Sequence, residues 1–267
     1  MSSTRRIVII TLVCVAAGAA LLFVLRTANA ATTLLVHAGA GIRPPLDELG
    51  TAFAKKTGIR VDYAYKGSGC LLADICFSKR GDVYIPGEVY YVEQAEKRGF
   101  VSSRKVVAQM STVLIVQKGN PKNIRGVRDL TRPGLRVGIG DPKAIAAGRA
   151  ANEVLVRAGV LDAVQKNIAM TALNVVELGI GVKLKHLDAA IVWDATAHLV
   201  RDEVETLEIP EAWRVDSPIP VAVLTFSKHR RDAERFVDFL ASEQAREVFG
   251  KHGYGPPPKD TKQAARP

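Results

Sequence analysis

From Leu34 onward, short apolar runs alternate with stretches of helical periodicity, and this alternation constrains the fold more than any other feature of the chain. Strand and helix signals in strict alternation describe a largely parallel sheet flanked by helices. Leu34-Leu35-Val36 reads as a strand that runs into His37-Ala38-Gly39-Ala40-Gly41. Leu46, Leu49, Ala52 and Phe53 then recur at helical spacing, and Gly58 stops the helix. Ile59, Val61, Tyr63 and Tyr65 alternate as a strand up to Lys66-Gly67-Ser68-Gly69, with a helix starting at Leu71, Leu72 and Ile75. Asp82 to Ile85 is a third strand closed by Pro86-Gly87, and Tyr91 to Lys97 a helix ended by Gly99.

After Met110 the alternation restarts. Val113 to Val116 and Leu135 to Ile139 are strands, the second leading into Gly140-Asp141-Pro142. Helices are expected from about Gly148 to Ala158 and from Val175 to Leu184, and Ala189 to Trp193 reads as a buried strand. Pro220 to Leu224 returns as a strand, and Asp232 opens one long amphipathic helical region carrying Phe236, Phe239, Leu240 and Phe249. Gly255-Pro256-Pro257-Pro258 ends the fold, and residues 255–267 are expected as a disordered tail.

Three strands end in small-residue loops that lead straight into helices: Ala38 to Gly41, Gly67 to Gly69, and Gly140 to Gly148. Small residues let a ligand approach the backbone, and the first helical turn carries unpaired N–H groups and partial positive charge. Several such ends converging make an anion site without any charged side chain. Enzyme signatures are missing by contrast. There is no nucleophile elbow and no phosphate loop, and Gly39-Ala40-Gly41 lacks the later glycine of a dinucleotide fingerprint. The five histidines, at 37, 186, 198, 229 and 252, have no metal-ligand spacing, and only His37 at a strand end is a candidate to line a cleft. No cofactor and no metal site is expected.

Arg5 and Arg6 precede an uncharged run of 19 residues, Ile7 to Leu25, followed by Arg26 and Ala28-Asn29-Ala30. This is the layout of an export signal over residues 1–30, and the run also suffices to anchor the chain as a membrane-crossing helix. In either case everything after Ala30 is exported, to the periplasm, with residues 7–25 as the alternative inner-membrane anchor. Removing residues 1–30 takes away three arginines and no acid, lowering the formal charge from +10 to +7. Export and the lack of basic runs interleaved with aromatics argue against a nucleic-acid partner. Cys70 and Cys76 survive in a compartment where disulfides form, six residues apart. On one helix they would lie about 9 Å apart along the axis, so either a turn closes a bridge or both are free thiols.

The order of these pieces resembles the molybdate-binding proteins of ABC importers, of the ModA type, and the related archaeal tungstate binders. Val36 to Gly41 resembles the family's first loop, Gly67 to Ala73 the second, and Gly81 to Ile85 its Ala-Asp-Val-Phe-Ile strand. Gly140-Asp141-Pro142-Lys143-Ala144-Ile145-Ala146-Ala147-Gly148 is close to the usual Gly-Asp-Pro-x-x-x-Pro-Ala-Gly. Ala190 to Ala195 and Pro220 to Val223 stand where the family has a Gly-Ile-Val-Tyr segment and its return strand.

The resemblance implies an α/β type II periplasmic binding protein fold, two α/β lobes joined by a two-strand hinge. Residues 31–111 and 218–254 would form one lobe and 112–217 the other. It further implies an extracytoplasmic, non-catalytic solute-binding protein that acts as a monomer, captures a small oxyanion (molybdate or tungstate by default) between the lobes, and delivers it to an inner-membrane ABC permease. The family's anion contacts fall on Ala40, Ser68, Ala147, Val175 and Trp193, with Gly69 as the alternative to Ser68 if the loop alignment slips by one. Ala147 and Val175 would act through backbone N–H groups. Ala40 stands where a serine is usual and Trp193 where a tyrosine is usual, so two hydroxyl donors are absent. Asp194 would either touch the ligand, coordinating its metal directly, or cap the following helix. These departures keep another anion, such as sulfate, phosphate or an organic carboxylate, as the alternative ligand. A membrane-anchored sensor domain and a cleft enzyme built on Ser68 are the alternatives from other classes.

Overall fold

The computed structural model describes residues 32–258. The expected export segment, residues 1–30, and the end of the expected tail, residues 259–267, lie outside the described residues.

Among the described residues, nine strands form one continuous sheet. In chain order they are β1 (Thr33–Gly39), β2 (Arg60–Lys66), β3 (Val83–Ile85), β4 (Val101–Gln117), β5 (Val137–Gly140), β6 (Ile168–Ala172), β7 (Ala189–Trp193), β8 (Val204–Glu208) and β9 (Asp216–Leu224). The sheet runs in the order β2-β1-β3-β9-β4-β7-β5-β6, with β8 on β4. β1 pairs in parallel with β2 and β3, and β5 in parallel with β6 and β7. The helices are α1 (Arg43–Thr57), α2 (Ser68–Ser78), α3 (Val89–Glu96), α4 (Ala146–Arg157), α5 (Leu161–Gln165), α6 (Val175–Lys183), α7 (Asp194–Leu199), α8 (Arg230–Leu240) and α9 (Glu243–Lys251).

Two lobes follow from this order, and β4 and β9 carry the chain between them. β4 pairs with β9 from Val101 to Ser111 and with β7 from Thr112 onward. One lobe holds β1 to β3 with α1 to α3, α8 and α9; the other holds β5 to β8 with α4 to α7. Each is stitched by a buried aspartate. Asp82 accepts from the Leu35 N–H (2.8 Å) and the Ser227 hydroxyl (2.6 Å). Asp188 accepts from the Arg136 N–H and guanidinium, both at 2.8 Å. Burying a carboxylate requires such partners, and both sit where a crossover meets its sheet. In the first lobe, Phe53 of α1 packs on Phe236 and Phe239 of α8, with ring centroids 5.0 and 5.5 Å apart.

Four departures from the sequence reading have local causes. β4 is far longer than Val113 to Val116, because its first half mixes half-buried and exposed residues and so shows no apolar run. β6 and β8 are short strands at the borders of the sheet: β6 exposes Ala169 and Thr171, and β8 exposes Thr206 and Glu208, so neither shows an apolar run. The expected single helix after Asp232 is broken at Ser242, whose hydroxyl accepts from the Ala245 N–H and caps α9. Gly255 belongs to the fold and not to a tail: it exchanges both backbone hydrogen bonds with Gln109 of β4, at 2.9 and 3.0 Å. That exchange also explains how Pro218 enters a central strand. Pro218 lies opposite Gln109, whose backbone groups face Gly255, so this rung asks no donor of the proline.

Cys70 and Cys76 are free thiols. Both lie on the unbroken helix α2, where six residues of helical rise keep them too far apart to bridge.

Candidate functional site

The cleft between the lobes is walled by strand-to-helix junctions. Ala40 opens the short helical turn after β1, Ser68 is the first residue of α2, Ala147 the second of α4, and Val175 the first of α6. Trp193 closes β7. All five line one cleft of about 30 Å³. A site for one water needs at least about 10–15 Å³, so the space admits a compact ion.

The donors come mainly from the backbone. A helix leaves its first N–H groups without an intrahelical partner, and among the described residues no protein group accepts from the N–H of Ser68, Ala147 or Val175. Asn174, also in the lining, caps α6 by accepting from the Val176 N–H at 3.0 Å and so leaves the Val175 N–H to the cleft. Ser68 is 3% exposed. Its hydroxyl oxygen accepts from the Gly87 N–H (3.0 Å), and its carbonyl accepts from the buried Tyr84 hydroxyl (3.0 Å). The remaining wall is apolar, with Met110 and Ile145 beside Trp193. Lys66 lies at the rim, but its ammonium is held by Asp74 at 2.6 Å, which also raises its pKa.

Two expected ligand residues do not line the cleft. The Gly69 N–H is committed across it, donating to the Ala144 carbonyl at 2.9 Å. A Cβ at Gly69 would lie 2.7 Å from the Lys143 carbonyl oxygen, so only glycine permits this approach. Asp194 turns to the hinge. It accepts from its neighbour's N–H at Ala195 (2.7 Å) and from the Ser111 N–H of β4 (3.1 Å), tying the start of α7 to the crossing strand. Burial pushes its carboxyl up to about 6 despite these two bonds, with Asp216 and Glu208 adding repulsion. His37 is also away from the cleft: its Nε2 pairs with the Arg80 carbonyl at 2.9 Å, and desolvation lowers its pKa.

A second contact spans the lobes beside the cleft. Arg149 of α4 bonds Glu88 at 3.0 Å and stacks over Tyr90 at 3.9 Å. Glu88 is mostly buried, and desolvation holds its pKa above the usual value against the pull of Arg149. Sequence reasoning missed Asn174, Gly87, Met110 and Ile145. Asn174 was detectable as an asparagine directly before a helical run; Met110 sits in a stretch with no local signal.

Comparison with known proteins agrees with this architecture. Residues 34–255 match the family model described as bacterial extracellular solute-binding protein. A binding protein of Haemophilus influenzae is 30% identical over 226 residues, spanning 85% of this chain and 92% of the relative. The molybdate-binding protein ModA of Mycobacterium tuberculosis is 28% identical over 231 residues, spanning 85% and 86%. Among solved structures, the periplasmic molybdate-binding protein of Azotobacter vinelandii superposes with a TM-score of 0.73 at 20% identity, covering 84% of this chain and 100% of that one. With its two lobes, its hinge strands and a match over most of its length, the chain belongs to the bacterial extracellular solute-binding protein family.

Proposed function

We propose that this chain is the periplasmic binding component of an ABC importer and captures one fully ionised tetrahedral oxyanion, molybdate or tungstate by default, for an inner-membrane permease. The observation that carries the reading is the set of helix starts at Ser68, Ala147 and Val175, each with an uncommitted N–H, on one small cleft. Helix N-termini favour negative charge through their dipoles and their free N–H groups, so the site needs no cationic side chain. Residues 1–30 direct export or anchor the chain, and the lobes divide near residues 111–112 and 217–218. Contacts made to both lobes at once would draw them together around the anion.

Full ionisation of the ligand follows from the acceptors. The described residues lining the cleft include no carboxylate, and Ser68 Oγ and Asn174 Oδ1 already accept backbone N–H groups. A hydrogen phosphate would therefore have no carboxylate to receive its hydroxyl and should bind more weakly than a fully ionised anion.

The test is tryptophan fluorescence. The chain has two tryptophans; Trp193 lines the cleft, and Trp213 packs under Arg128. In a Trp213→Phe variant, molybdate, tungstate or sulfate should give a saturable signal from Trp193, and phosphate a signal at concentrations at least tenfold higher. Saturation by an organic carboxylate with no response to the three oxyanions would replace this ligand class.

A further inference from the structure

Gly87 stands where the hinge meets the anion site. Its N–H donates to Ser68 Oγ at 3.0 Å, and its carbonyl accepts from the Ser217 hydroxyl at 3.1 Å. Both serines are buried, Ser68 at 3% and Ser217 at 2% exposure. Ser217 lies on β9 directly opposite Met110 of β4, so both crossing strands present a side chain to this residue. A Cβ at Gly87 would sit 3.7 Å from the Met110 methyl, 3.7 Å from Ser68 Oγ and 3.2 Å from the Ala146 Cβ of the other lobe. Hinge, loop and both walls of the cleft therefore meet around one residue.

We propose that Ser217 is a positioning residue of the anion site, holding Gly87 in place so that its N–H aims the Ser68 hydroxyl proton into the cleft. This rests on the reading of the cleft as an anion site. A serine hydroxyl carries one hydrogen and two acceptor positions. Once the Gly87 N–H occupies the acceptor side of Ser68, the hydrogen is directed elsewhere, and among the described residues no protein group receives it. The Ser217 bond pins the Gly87 carbonyl to β9, and with it the placement of the N–H on the other side of the same α-carbon, which lies on Ser68. Ser217 thus fixes Ser68 without touching the ligand. Because Ser217 rides on a crossing strand, a change at the hinge that withdraws it also loosens Ser68, which couples lobe position to anion affinity.

The test compares Ser217→Thr, which keeps the hydroxyl, with Ser217→Val, which has the same shape without it, each with Ser68 intact and as Ser68→Ala, in titrations with sodium molybdate, tungstate and sulfate. With Ser68 present, the valine variant should bind about three- to tenfold more weakly than the threonine variant, the span of one net hydrogen bond. In the Ser68→Ala background that ratio should collapse to about one. Equal affinities with Ser68 present, or a ratio that persists without Ser68, would overturn the proposal by showing a merely structural role. Should the wild type bind none of the three anions, the ligand reading fails separately, and the Gly87 amide proton of the free protein reports whether Ser217 holds that N–H on Ser68. An upfield move in the valine variant relative to the threonine variant supports the proposal, and an unchanged resonance overturns it.

Discussion

The N–H of Gly69, on the first turn of α2, donates to the carbonyl of Ala144, in the loop before α4, at 2.9 Å. The starts of two helices in opposite lobes are thereby bonded to each other beside the cleft. The lack of a side chain at Gly69 makes this approach possible, since a Cβ would lie 2.7 Å and 2.9 Å from the carbonyl oxygens of Lys143 and Ala144. Backbone atoms cannot swing aside as a flexible side chain can. In Gly69→Ala the lobes must part by some tenths of an ångström, while the helix itself gains up to about 1 kcal/mol from alanine. We expect molybdate affinity to fall at least tenfold by calorimetry with no drop in melting temperature. Unchanged affinity would show that the bound form does not need this contact.

Ala40 offers a gain-of-function test. It lines the cleft at the start of the turn after β1, where the resembled family carries a serine. A hydrogen bond to a charged ligand contributes about 1.5–3 kcal/mol. Ala40→Ser is therefore expected to bind molybdate tenfold or more tightly than the parent chain, measured by competition between the two proteins for limiting anion. Equal affinities would mean that a hydroxyl at this position does not reach the ligand.

Much of this site was legible in the sequence because helix starts announce themselves. Glycines and small residues between an apolar run and a helical period marked the segments holding Ala40, Ser68 and Ala147, and these residues line one cleft. Gly69 and Asp194 stayed open in the sequence for a shared reason: their roles depend on what faces them across the molecule. Gly69 spends its donor on Ala144, and Asp194 spends its acceptors on Ser111 and Ala195. No local pattern encodes such a partner. The hinge strands were only half legible for a related reason. The first half of β4 mixes half-buried and exposed residues, so it shows no continuous apolar stretch, and Met110 and Ser217 acquire meaning only through their pairing.

Asp194 gives the chain a distinctive pH dependence. Its carboxyl is pushed up to about 6 by burial first, against an ordinary value of 3.8. A raised folded-state pKa means the native state binds the proton more tightly than the unfolded chain does. The group's contribution to stability is thus fully present below the unfolded value and is lost as pH rises through about 6. Asp194→Asn removes this titration. Relative to wild type, the variant should gain about 1 kcal/mol of stability between pH 5 and pH 7.5, by the linkage of about 1.4 kcal/mol per pKa unit. Urea unfolding at the two pH values checks this, and a pH-independent difference would place the cause outside Asp194.

In the proposed site, backbone N–H groups at three helix starts hold the anion. Amide resonances of the isotopically labelled chain, followed while sodium molybdate is added, test it directly. The Ser68, Ala147 and Val175 amide protons should shift downfield saturably with a single dissociation constant, further than those elsewhere in the two lobes. Saturable binding that leaves these three resonances in place, or moves only residues outside the cleft, would contradict it.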